Sequence, residues 1–129
     1  MKKIAILRCL KTSAACAGTG CLRAFNEKSE GFKKYEVEDI QLIGMWTCNG
    51  CGNSMLENQD GIEKKIARMA AKGVDAVHIS HCTAKKNDDG IPVRCPTIIS
   101  ICKKLNEQGV KVADGTHGSN ATGEIITFD

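Results

Sequence analysis

Lys2-Lys3-Ile4-Ala5-Ile6-Leu7-Arg8-Cys9 opens the chain, and its reading decides the fold. Four apolar residues in a row, two of them β-branched, stand between charged neighbours. Such a run is too short for a helix and suits a buried strand. Similar runs return at Ile40-Gln41-Leu42-Ile43-Gly44-Met45-Trp46, at Asp75-Ala76-Val77-His78-Ile79-Ser80 and at Val110-Lys111-Val112-Ala113. The segments between them carry a helical period. Ile62, Ile66 and Met69 are spaced by four and three, with Ala67, Ala70 and Ala71 as good helix formers and Gly73 as the stop. Ile98, Ile101, Cys102 and Leu105 repeat the pattern, with Pro96 at the first helical position and Gly109 past the end. A further helix is expected from near Cys21, carrying Leu22 and Phe25. Glu124-Ile125-Ile126-Thr127-Phe128 is expected to add a short edge strand.

Strands alternating with helices imply βαβ units, and hence an α/β fold: a small three-layer structure around a mainly parallel sheet of four to five strands. Right-handed crossovers leave few topologies, of which a flavodoxin-like order, with strand one between strands two and three, is the expected one. Residues 1–129 show no repeat, low-complexity tract or linker, so a single domain is expected. Apolar residues at 42% and charged residues at 26% exclude bulk disorder. A net charge of +3, with its lysine doublets scattered, gives no basis for nucleic-acid binding. No apolar run approaches the roughly 20 residues of a membrane span. Arg8 cuts the first apolar run short of the roughly 7–15 residues of a signal peptide, which points to a cytoplasmic chain.

Eight cysteines are the outlier in this composition. In a reducing compartment, clustered thiols bind metal or carry redox chemistry more often than they form disulfides. On the expected sheet, Cys9 follows strand one, Cys16 and Cys21 precede the first helix, and Cys48 and Cys51 follow strand two. His81 and Cys82 follow strand three, Cys95 starts the last helix and His117 follows strand four. Seven of eight cysteines and two of three histidines therefore fall beyond the C-terminal ends of strands, where open α/β sheets bind ligands. The expected switch point lies between strands one and three, beside Cys9 and Cys82. Cys48-Asn49-Gly50-Cys51 is the sharpest local motif, since two thiolates at this spacing can reach one tetrahedral ion. Cys102 lies on the apolar face of its helix and His78 lies mid-strand, so both are expected in the core.

Other chemistries fit less well. A thioredoxin-type pair would sit at a helix N-terminus, yet the next helix is expected only near Gly61, ten residues after Cys51. A phosphatase-type loop would place an arginine six residues after its cysteine; here Ala15 follows Cys9 and Leu22 follows Cys16 at that spacing. Gly18-Thr19-Gly20 lacks the third glycine of a dinucleotide fingerprint, and no Walker sequence exists.

The assembled pattern resembles the CGGC-domain family of small proteins rich in cysteine and histidine. The central motif stands here as Cys48-Asn49-Gly50-Cys51, flanked by the Arg8-Cys9 strand end, the Cys16–Cys21 loop and the His78–Cys82 segment. The resemblance implies metal binding by Cys9, Cys48, Cys51 and Cys82; the sheet-edge reading adds His81 or His117 to complete the site and Cys16, Cys21 and Cys95 as further candidate ligands. Mixed thiolate and imidazole donors favour zinc. An iron–sulfur cluster on four of the thiols, or dithiol redox chemistry at the CNGC pair, is the alternative.

Overall fold

The computed structural model describes residues 1–50, 59–118 and 120–128. Its central sheet holds β1 (Lys2–Arg8), β2 (Ile40–Thr47), β3 (Ala76–Ile79), β6 (Lys111–Asp114) and β7 (Ile125–Ile126). The strand order is β2-β1-β3-β6-β7, with the first four parallel and β7 antiparallel at the edge. Strand one thus lies between strands two and three, as the alternation of elements predicts. The chain is α/β, with a mainly parallel five-stranded sheet covered by helices.

Side chains along β1 alternate between two cores, as the pleat requires. Ala5 and Leu7 face the core closed by α3 (Gln59–Ala71) and α4 (Pro96–Glu107), which lay Ile62, Ile66, Ile98, Ile101, Cys102 and Leu105 on the sheet. Ile4 and Ile6 face the other core, closed by α2 (Thr19–Glu27) and a 3-10 turn at Glu30–Tyr35, which supply Cys21, Ala24, Phe32 and Tyr35. Cys102 is completely buried, as its helix position predicts, and burial pushes its thiol pKa up to about 12. His78 is completely buried as well and stacks on Phe32 at 4.4 Å between ring centroids. Its Nδ1–H donates to Gly115 O, so Nε2 accepts from the Tyr35 hydroxyl, both at 2.8 Å. Desolvation lowers its pKa to about 4, which makes it a neutral core residue at pH 7.

Three pieces lie outside the sequence expectations. A single helical turn, α1 (Leu10–Ser13), follows Cys9 directly. A 3-10 turn spans Glu30–Tyr35. Between β3 and α4 the chain makes a hairpin, β4 (Ala84–Lys86) paired with β5 (Pro92–Arg94). Each is short and held by tertiary contacts rather than by a periodic pattern, which is why periodicity does not reveal them. No helix among the described residues is long and apolar enough to cross a membrane.

Candidate functional site

Because β1, β2, β3 and β6 are parallel, the residues that follow them share one edge of the sheet. Cys9, Cys48, the His81–Cys82 turn and His117 all stand at this C-terminal edge, as predicted. Two contacts tie them together. The Cys9 backbone N–H donates to Cys82 Sγ at 3.4 Å across the β1/β3 switch point, and Cys82 Sγ lies 2.7 Å from the Ser80 hydroxyl. On the α2 side, Cys21 Sγ lies 3.1 Å from Thr116 Oγ1 and 3.6 Å from His117 Nδ1. The rings of His117 and His81 meet edge to face at 4.6 Å. Gly20 permits this approach: a Cβ there would fall 2.9 Å from His117 Nε2.

The edge nevertheless does not form one cluster. Cys21 packs in the core beneath α2, whereas Cys48 packs with Trp46 in the core beneath α3 and α4. Cys95 also belongs to the α3/α4 side, where it precedes α4 and its N–H bonds to Thr83 O. Cys16 is exposed. Cys51 lies outside the described residues. Among the described residues, no three Cys, His, Asp or Glu side chains stand close enough together to enclose a metal ion. The grouping therefore resolves into Cys21 with His117 and His81 on one face, Cys48 on the other, and Cys9 with Cys82 at the switch point between them.

Arg8 is the residue that sequence reading misses. It is only 8% exposed, and its guanidinium donates to Cys16 O at 2.6 Å. Among the described residues no carboxylate pairs with it. A buried cation without an acid favours negative charge nearby, and the neighbours here are thiols. The signal was available in the strand alternation: Arg8 shares a face with Ile4 and Ile6, the face on which Cys21 packs.

The thiols differ in their readiness to ionise. Burial raises the pKa of Cys21, and the charges of Cys82 and Cys16 raise it further, against the lowering influence of the Thr116 hydroxyl and Arg8. Burial also acts to raise that of Cys9, but the backbone and hydroxyl of Thr12, the backbone of Lys11 and the charge of Lys85 outweigh it and leave the thiol below its ordinary value. The Gly18 backbone N–H lowers that of Cys16, with Arg8 adding to the effect. Desolvation, then the His81 charge, lowers that of His117, so its imidazole is neutral at pH 7 and able to ligate.

The CNGC turn has its own logic. Asn49 and Gly50 both take positive φ, 63° and 105°. Glycine adopts this region freely, and asparagine is among the few other residues that tolerate it. Asn49 also accepts a 2.6 Å bond from Lys65 Nζ, which reaches Thr47 O as well. The turn that orients Cys48 is thus latched to α3.

The CGGC domain family matches residues 3–117. An uncharacterized protein of Methanocaldococcus jannaschii is 33% identical over 132 residues, covering 96% of this chain and 93% of that protein. No solved structure matches.

Proposed function

The chain belongs to the CGGC domain family, and on that premise we propose that its sheet edge binds a thiophilic metal ion, zinc by preference. The supporting observation is the spacing of Cys21 and His117. Zinc–sulfur and zinc–nitrogen bonds of about 2.3 and 2.0–2.1 Å, at a tetrahedral angle, put the two donor atoms roughly 3.6 Å apart. Cys21 Sγ and His117 Nδ1 stand 3.6 Å apart. This pair matches one edge of a coordination tetrahedron, which supports the zinc reading. Cys82, whose charge acts on Cys21 and whose Sγ is held by the Cys9 backbone N–H, is the thiol that would add to this pair. The metal would hold the C-terminal edge together, and Arg8 would offset the negative charge of its thiolates.

Zinc must displace the proton of a thiol whose pKa is raised, so affinity should increase with pH. The test is metal analysis of protein purified without oxygen. About one zinc per chain, held more weakly in Cys21→Ser and His117→Ala but unchanged in Cys102→Ala, supports the reading. Iron with inorganic sulfide would replace it with a cluster.

A second reading, thiol redox chemistry, has its own support in the lowered pKa values of Cys9 and Cys16. Metal-free protein in which Cys48 and Cys51 form a disulfide on mild oxidation would favour it.

A further inference from the structure

Beyond the thiols, the same edge of the sheet holds a cavity of about 550 Å³ at the ends of β3 and β6, with the β4–β5 hairpin as its outer wall. We propose that this cavity binds a small organic anion, with a carboxylate or phosphate head on a short apolar body. Its volume lies within the roughly 300–1,000 Å³ of small-molecule sites, and its position is the one at which open α/β sheets take ligands.

The charges set the sign of the ligand. Arg94 and Lys86, both from the hairpin, line the cavity against a single carboxylate, Asp114. Arg94 spends one long bond on that carboxylate, Nη2 to Asp114 Oδ1 at 3.3 Å. A guanidinium has five N–H donors in a planar fork suited to carboxylate or phosphate, so most of this fork remains for a ligand. Lys86 has no ion pair among the described residues. Ile79 and Pro92 contribute apolar wall for the body of the molecule.

His81 and His117 close the side of the cavity toward Cys21. A bound anion would therefore sit beside the thiols, as a substrate or effector of whatever chemistry they perform. Binding itself rests on the cavity and its cations, not on the metal reading.

The test is a two-dimensional amide NMR titration of the protein as purified, with benzoate, phenyl phosphate and neutral benzamide as probes. Saturable shifts at Arg94, Asp114 and Gly118 with either anion, and none with benzamide, are expected. Benzoate alone assigns a carboxylate head and phenyl phosphate alone a phosphate head. Arg94→Gln should weaken binding at least tenfold, and Lys86→Gln should weaken it without disturbing the Arg94–Asp114 pair. Ala84→Leu, which fills the cavity at unchanged charge, should abolish binding. Equal binding of benzamide, no saturable shift with either anion, or unchanged affinity in both charge variants would overturn the proposal. Anion binding by metal-free protein would support this proposal, and the zinc content of the protein as purified decides the metal reading separately.

Discussion

Replacing Asn49 tests whether the turn before the second cysteine is held by backbone conformation. Asn49 sits at φ 63° and accepts 2.6 Å from Lys65 Nζ. Asn49→Ala loses that bond, worth about 1 kcal/mol for a half-buried charged donor that keeps Thr47 O as a second acceptor. It also forces a Cβ-bearing residue without a local polar side chain into the left-handed region, at a further cost of about 1 kcal/mol. The expected loss is about 2 kcal/mol, or roughly 1 M in the urea midpoint. Asn49→Gly restores the family's CGGC sequence. It loses the bond to Lys65 but adds no left-handed strain, and should fall about 1 kcal/mol below the parent, midway to the alanine variant. Urea unfolding followed by far-ultraviolet circular dichroism of the three proteins is the assay. Equal midpoints for the alanine and glycine variants would refute the conformational argument, because loss of the Lys65 bond is common to both.

Three further outcomes follow from buried or charged groups at named positions. His78 binds no proton in the folded state until about pH 4, while the unfolded chain binds one below 6.5, so stability should be full above 6.5 and fall by up to about 3 kcal/mol as pH drops to 4; His78→Gln should flatten that dependence in urea midpoints taken across the range. Cys102→Ala should cost about 1–2 kcal/mol of unfolding free energy through lost packing, and native-state alkylation read by mass spectrometry should leave Cys102 untouched. Arg8→Gln should move the pH profile of Cys16 alkylation upward, since the guanidinium favours that thiolate; an unmoved profile would leave the effect to the Gly18 amide alone.

The sheet was legible because its strands are short apolar runs and its two long helices carry clear periods. Ile4-Ala5-Ile6-Leu7 and the Ile98–Leu105 stripe each have one physical interpretation. The C-terminal edge followed from topology, since parallel strands send every following residue to the same side. What the sequence could not show is the face on which each thiol packs. Cys21 and Cys48 both follow the same edge in reading order, yet α2 carries one to the opposite core from the other. Arg8 was readable from strand alternation, but an arginine sought only six residues after a cysteine is an arginine sought in the wrong place. The hairpin that brings Arg94 to Asp114 has strands of three residues each, too short to show an alternating pattern.

The central claim is that Cys21 and His117 share one ion, and zinc K-edge X-ray absorption tests it most directly. Zinc-loaded protein should show a mixed first shell, with sulfur near 2.3 Å and nitrogen near 2.0–2.1 Å. His117→Ala should lose a nitrogen from that shell, and Cys21→Ser a sulfur. A shell identical in the parent and both variants, or a chain that takes up no zinc under reducing conditions, would contradict the account.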